Sequence, residues 1–388
     1  MTKTTPTFFM FAGEPSGDLH GSHLLKELKS LLPELKTFGV GGPYLRKEGL
    51  RCLLKMEDFE VMGLSDVLKS LPKLWSHFHK VLQAILASSP EIVILIDYPG
   101  FNLRLAKALK KKGFKGKIVQ YVSPTVWAHS PKRIQAMAKT LDLLLTIFPF
   151  EASYFSSTPL KVQFVGNPLV EYKLAYTFCT SWKGLLKIPL THPLIALFPG
   201  SRAKEIKSHL PILLQTAEWL KRKKPELIFG ISCVNEESTF EIYEALKKSS
   251  LKHGHDVFLI PKQYSYELMD ESHLAIAKSG TVALELALHA CPTIVIYKLS
   301  LINWLYAKLF LKLKLPFYCL VNILGGKEIF PELIEKSCCY QSIAEKALTF
   351  LESSLARNQC VDDCVKLYES LSKEPASKKA AIGVLELL

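Results

Sequence analysis

The sequence predicts an α/β chain of two Rossmann-like lobes followed by a helical C-terminal tail, and three observations predict it. Its 388 residues exceed one ordinary core and suit two domains of roughly 150 to 200 residues each. Short apolar, β-rich runs alternate with amphipathic stretches, the pattern of βαβ units around a parallel sheet. That alternation breaks off once, between Gly166 and His192, and then resumes.

In order along the chain, Thr7 to Ala12 reads as a first strand, followed by a helix to about Leu31 and a strand at Thr37 to Val40. Glu91 to Ile96 and Lys117 to Val122 are further strands. A strand ending near Phe164 to Asn167 runs into Gly166 and Pro168, and Trp182, Pro189 and Pro193 punctuate an irregular stretch beyond it. The domain joint is placed there, giving domains over 1–168 and 169–342. The second alternation comprises Leu194 to Phe198, a helix from Lys204 to about Lys221, Leu227 to Ser232, a helix to Ser250, and Val257 to Ile260. Leu274 to Ala277, a helix from Val282 to His289, and Thr293 to Ile296 complete it. The tail, 343–388, is helical in pattern with no strand signal, and no short-period repeat interrupts the chain.

Composition narrows the function. Hydrophobic residues at 48% and charged residues at 22% exclude a mainly disordered chain. The nine cysteines are odd in number, scattered and without paired C-x-x-C spacing, so reduced thiols and no metal site are expected; Cys360 and Cys364 lie one helical turn apart with no partner group. Phe8 to Ala12 is too short for the apolar core of an export signal, and Leu299 to Leu315 is broken by Asn303, Lys308, Lys312 and Lys314, so a soluble or peripheral protein is expected. A net charge of +13 favours an anionic partner: nucleic acid, anionic lipid or a phosphorylated substrate. Nucleic-acid binding rests on charge alone, because no RNP or zinc-finger motif accompanies it.

In open α/β sheets, ligands sit where strands end and helix N-termini present free N–H groups. Five such turns carry chemistry. The first holds Gly13, Glu14, Ser16, Gly17 and Asp18; it lacks the G-K-[ST] of a P-loop and the G-x-G-x-x-G of a dinucleotide fold, and a plain tight turn explains part of it. A second, Phe198 to Glu205, offers Ser201 as a cap, with Glu205 one position off a capping box. Arg202 at a helix mouth is unfavourable unless an anion sits there, and its fork suits phosphate. In the third, Ser279, Gly280 and Thr281 leave backbone N–H groups open to a diphosphate, and Glu285 lies about one turn inside, where a carboxylate suits ribose hydroxyls. The fourth places Asp97 at the end of an apolar strand as a candidate general base, or alternatively a helix cap. The fifth, Val122 to His129, carries Ser123 and His129 as candidate sugar contacts.

Val61, Met62, Leu64, Leu68, Leu71 and Trp75, with Lys69 and Lys73 among them, form an amphipathic stretch suited to an anionic lipid interface or equally to a domain core. Lys298 to Phe317 has the same mixed character.

Taken together, and with Phe38 to Pro43, Val61 to Gly63, Phe148 to Glu151, Phe164 to Val170 and Asn322 to Gly326, these motifs resemble the lipid-A-disaccharide synthases of glycosyltransferase family 19, in the family's order. The resemblance implies a GT-B fold and inverting transfer of 2,3-diacylglucosamine from UDP to the 6-hydroxyl of 2,3-diacylglucosamine 1-phosphate. It implies Asp97 as the essential carboxylate of the first domain and Ser201, Arg202, Glu205, Ser279, Gly280, Thr281, Glu285 and Asn322 on the UDP side, with no cofactor or metal. A place on the cytoplasmic face of the bacterial inner membrane is also implied, with UDP-diacylglucosamine, diacylglucosamine 1-phosphate and an anionic membrane surface as partners; a homodimer is left open. Gly100, His129, Ser130, Asn167 and Val321 depart from the commoner family pattern. The alternatives that remain are a UDP-N-acetylglucosamine epimerase on the same fold and a basic nucleic-acid-binding protein.

Overall fold

Five consecutive apolar residues such as Ile92–Ile96 have no polar face to offer water, so a strand of this kind is stable only with both sides of its sheet covered. The computed structural model describes residues 5–59, 64–124, 131–298, 316–371 and 374–388, the side chains of 64–71 and 131–132 excepted, and places such strands in two parallel sheets. The chain divides into two units, Met1–Tyr172 with Leu371–Leu388, and Lys173–Ser370.

The first unit contains β1 (Thr7–Ala12), β2 (Lys36–Gly41), β3 (Arg51–Lys55), β4 (Ile92–Ile96), β5 (Lys117–Tyr121), β6 (Leu143–Thr146) and β7 (Lys161–Phe164). Their spatial order is β3-β2-β1-β4-β5-β6-β7, with every pairing parallel. Connecting them are α1 (Pro15–Leu31), α2 (Pro43–Lys47), α3 (Leu64–Ser88), α4 (Pro99–Lys111) and α5 (Pro131–Thr140), with α6 (Pro168–Ala175) following β7. Successive side chains of a strand point to opposite faces. Accordingly Phe9 and Phe11 enter one core with Val93 and Leu95, while Phe8 and Met10 enter the other with Ile92 and Ile94.

The last helix, Ala376–Leu385, belongs to this second core through Ala380, Ala381 and Val384. Its small residues allow close approach, and Gly383 sits directly against Gln163. The tail therefore does not stand apart: residues up to Ser370 stay with the second unit, and Leu371–Leu388 returns to the first. The boundary falls after Tyr172, a little beyond the 168 position read from the sequence. Periodicity announces a helix but not which sheet its apolar face covers.

The second unit contains β8 (Leu194–Phe198), β9 (Ile228–Cys233), β10 (Val257–Pro261), β11 (Leu274–Lys278), β12 (Thr293–Tyr297) and β13 (Glu332–Ile334), in the order β10-β9-β8-β11-β12-β13. Its helices include α7 (Trp182–Leu185), α8 (Ala203–Lys223), α9 (Glu236–Leu246), α10 (Ser265–Glu271), α11 (Thr281–Leu288), α12 (Leu320–Gly325), α13 (Tyr340–Glu352) and α14 (Ser354–Ser370). Trp182, in the stretch read as irregular, is fully buried and donates to Glu271 Oε1 at 2.6 Å.

Both units follow the doubly wound order of the Rossmann fold, as the alternation predicts. Three strands escaped that reading for physical reasons. β3 and β13 are short sheet edges, and β3 is largely exposed, so neither has a continuous apolar run. β6, Leu-Leu-Leu-Thr, has a single β-branched residue, Thr146, at its end, so little separates it from a buried helix turn.

The order also locates chemistry. In each unit the winding reverses once, between β1 and β4 and between β8 and β11. Crevices that bind ligands open at the carboxyl ends of the strands at such reversals.

Candidate functional site

In the first unit the reversal brings together the turn after β1 and the turn after β4. Asp97 leaves β4 with φ 49°, and Tyr98 continues left-handed at φ 47°, ψ 54°. Neither is a glycine, and two successive left-handed residues of this type cost of order 1–3 kcal/mol each. Ser16, in the first turn of α1, donates to Asp97 Oδ2 at 3.3 Å, so two residues singled out from separate motifs meet. Burial raises the Asp97 carboxyl above the ordinary aspartate range, against the opposing pull of the Tyr98 N–H and the Ser16 hydroxyl. A half-buried carboxylate held this way is more basic than one neutralised by a cation, which suits a general base.

Gly13 closes against the aromatic wall of this turn: a Cβ there would stand 3.0 Å from the rings of both Phe11 and Tyr98. Glu14 is half-buried beside it, and its charge adds to burial in raising the Tyr98 phenol. Gly17 is buried in the opening turn of α1.

Asp18 has a different role from its neighbours. Its fully buried carboxylate accepts from Gly42 N at 2.7 Å, Tyr44 N at 2.9 Å and Leu45 N at 3.1 Å, capping α2. It is therefore a tie between α1 and the turn after β2 rather than a cleft group. Asp18→Ala is expected to destabilise the first unit by about 3 kcal/mol, from charged hydrogen bonds lost and buried N–H groups orphaned. Urea unfolding measures this, and a loss under about 1 kcal/mol would contradict the assignment.

Ser123 is buried, with its hydroxyl bonded to Pro124 O at 3.1 Å and close to Glu151. Burial pushes Glu151 up to about 8, although Phe148 N and Ile147 N donate to it and the nearby Ser123 hydroxyl also opposes the shift. His129, Val61 and Met62 lie outside the described residues, and Leu64, Leu68 and Leu71 fall on α3 with their side chains outside them. Trp75, on the same helix, is 68% exposed.

In the second unit the reversal pairs the turn after β8 with that after β11. Gly200 has φ +125°, and a Cβ on it would meet the Glu205 side chain at 2.6 Å, so only glycine fits this close approach. Glu205 accepts from Ser201 N at 3.1 Å, Arg202 Nη1 at 3.1 Å and Lys278 Nζ at 3.1 Å. Burial alone would raise its carboxyl, but these donors outweigh it and hold Glu205 below its ordinary value. Glu205 thus organises the loop through both of its oxygens. Two cations share this one carboxylate at the openings of α8 and α11, leaving a surplus of positive charge where helix dipoles add more. Arg202 is 80% exposed and therefore able to turn to an anion.

Ser279 is anchored by its N–H to Ile296 O at 2.9 Å, while Gly280 and Thr281 are exposed at the start of α11. Glu285 sits further along that helix and accepts from the Tyr266 hydroxyl at 3.4 Å; burial pushes it up to about 7. Asn322 departs from its expected place on the nucleotide side. Its buried amide donates to Phe330 O and Glu332 Oε1 at 2.7 and 2.8 Å and accepts from Ile329 N and Phe330 N at 2.8 and 2.9 Å. With every hydrogen-bonding group engaged, it shapes the turn before β13.

Reading the motifs missed Lys278 and His209. Lys278 directly precedes the Ser279 turn, a signal visible in the sequence. His209 is buried one helical turn after Glu205, with Nδ1 donating to Glu205 O at 2.8 Å and Nε2 accepting from Lys298 N at 3.1 Å. A carbonyl only accepts and an amide N–H only donates, so the ring is neutral with one tautomer; burial lowers its pKa accordingly.

Among the described residues, no helix is long and apolar enough to cross a membrane, and no group of three His, Cys, Asp or Glu is placed to hold a metal ion.

Two doubly wound units with anion-suited turns at one reversal and a base-like carboxylate at the other define the two-lobed GT-B class. A family model described as lipid-A-disaccharide synthetase matches residues 8–384, and the chain belongs to that family. It is 38% identical over 97% of its length to the lipid-A-disaccharide synthase of Chlamydia trachomatis serovar D, of which it spans 62%. It is also 35% identical over 94% of its length to lipid-A-disaccharide synthase 1 of Legionella pneumophila strain Paris, of which it spans 93%. The fold is shared with the Staphylococcus aureus MnaA–UDP structure (TM-score 0.64, 12% identity, 99% of this chain and 98% of that one). The glycotransferase of kitacinnamycin shares it equally (TM-score 0.62, 11% identity, 99% and 100%). At such identities the likeness is one of architecture alone.

Proposed function

We propose that the chain joins UDP-2,3-diacylglucosamine to the 6-hydroxyl of 2,3-diacylglucosamine 1-phosphate, yielding a β-linked disaccharide lipid and UDP. Family membership favours this transfer over the epimerase and nucleic-acid readings. The observation that carries the mechanism is Asp97, a half-buried carboxylate of raised pKa at the β1/β4 reversal.

Asp97 takes the proton of the acceptor hydroxyl as its oxygen attacks the donor's anomeric carbon. The new C–O bond forms on the face opposite UDP, and the bond to the phosphate oxygen breaks with its electron pair leaving on UDP. Arg202 and the Ser279 to Thr281 turn stabilise that departing charge, a role worth most where the donors are already in place. The acylated substrates call for an interfacial face at the cytoplasmic side of the inner membrane, which the exposed Trp75 and its neighbouring lysines support. The test is UDP release and disaccharide-lipid formation from the two substrates presented in anionic vesicles. No product from any acylated pair would overturn the reading.

In the same reading Glu285 accepts from the ribose hydroxyls. Because burial places it at about 7, UDP affinity is expected to strengthen as the pH rises through that value and to fade below it, where protonation removes an acceptor. Calorimetric titration of UDP across this range checks it. Glu285→Gln should bind weakly and without this pH dependence; an unchanged profile would exclude Glu285 from the ribose site.

A further inference from the structure

Asp97 could not be held by its own preferences, since left-handed backbone at two non-glycine residues relaxes unless its surroundings forbid it. Besides the backbone bond from Asp97 N to Tyr121 O at 2.9 Å, the surroundings include two buried amides. Asn102, in the first turn of α4, donates from Nδ2 to Asp97 O, and Gln120, near the end of β5, donates from Nε2 to the same oxygen at 3.1 Å. Both side chains are fully buried, and they touch each other, Asn102 Nδ2 lying 3.4 Å from Gln120 Oε1. Gln120 Nε2 also reaches Val122 O at 3.0 Å, and Val122 is itself left-handed at φ 67°. One amide pair thus fastens the carbonyls of unusual residues at the ends of two neighbouring strands.

The pair is poorly suited to stability alone. Asn102 Oδ1 is buried without a hydrogen-bond partner among the described residues, a defect that an apolar side chain of the same shape would remove. A local rule broken beside a strained carboxylate points to placement rather than packing.

We propose that Asn102 and Gln120 are positioning residues for the base: by holding the Asp97 carbonyl they keep its backbone left-handed and its carboxylate aimed at the acceptor hydroxyl. The inference rests on Asp97 being that base. Neither amide touches substrate in this arrangement; each acts through Asp97.

Asn102→Leu and Gln120→Met keep the approximate volume and remove the donors. Each is expected to lower kcat about 10- to 100-fold, the scale of a misplaced catalytic group, with UDP affinity changed by less than about twofold because that site belongs to the other unit. The acidic limb of the kcat/KM profile should also move to lower pH as the released carboxylate gains solvent, a change that a merely structural role would not produce. A folded variant with wild-type kcat and an unmoved limb would overturn the proposal, as would failure of both variants to fold. If Asp97→Asn keeps its turnover, the base assignment has failed; if Asp97→Asn is inactive while both amide variants work normally, only the clamp has failed.

Discussion

Asp97→Asn is expected to reduce turnover by about 10³-fold while UDP binds the variant as it binds the wild type, because a carboxamide fills the same space but cannot accept the acceptor's proton. The substitution leaves the Asp97 carbonyl on Asn102 and Gln120, and the new amide oxygen still accepts from Ser16, so the left-handed turn is retained. Steady-state kinetics with both acylated substrates, together with UDP calorimetry, separate the two effects. In the proposed role Asp97 must be ionised to accept the proton, and burial raises its carboxyl. Activity is therefore present above the folded pKa and lost as pH falls through it, so the acidic limb of kcat/KM should lie above the ordinary aspartate range. Turnover near the wild-type rate in Asp97→Asn would remove Asp97 from the mechanism.

Arg202→Ala is expected to lower kcat by roughly 10²-fold, the lower end of the scale for losing a donor to a developing anion. The fold should hardly notice. Arg202 is largely exposed, and an exposed ion pair contributes only about 0–1 kcal/mol. Glu205 keeps Lys278 and the Ser201 N–H when the guanidinium is removed. Unchanged thermal melting beside a large kinetic loss is thus the predicted signature. Arg202→Lys should restore only part of the rate, since a point charge cannot reproduce the two-pronged contact of a guanidinium with phosphate oxygens. Equal losses in stability and rate would assign Arg202 to the loop instead.

The turns at the two reversals are legible in the sequence for a local reason. A parallel sheet forces an apolar run, a polar turn and a helix start into contiguous sequence, so Asp97, Arg202 and the Ser279 to Thr281 turn announce their positions by spacing. Asn102 and Gln120 escaped notice because nothing about an amide within a helix or a strand distinguishes it until its partner carbonyl is known.

The sequence by itself determined the doubly wound α/β character and the strand ends that flank the two reversals, since these follow from periodicity and order along the chain, while its ordered motifs carried the family resemblance. Only the tertiary structure decided which polar groups remain available for chemistry. Asp18 caps a helix whose N-cap, Gly42, lies 24 residues on. Asn322 is consumed by the turn at Phe330, and Glu205 is shared between its own loop and Lys278. Each reads as a ligand group when only its neighbours in the chain are known. Hydrogen bonds saturate, and their partners are brought in by strand order and sheet winding, which spacing along the chain does not encode.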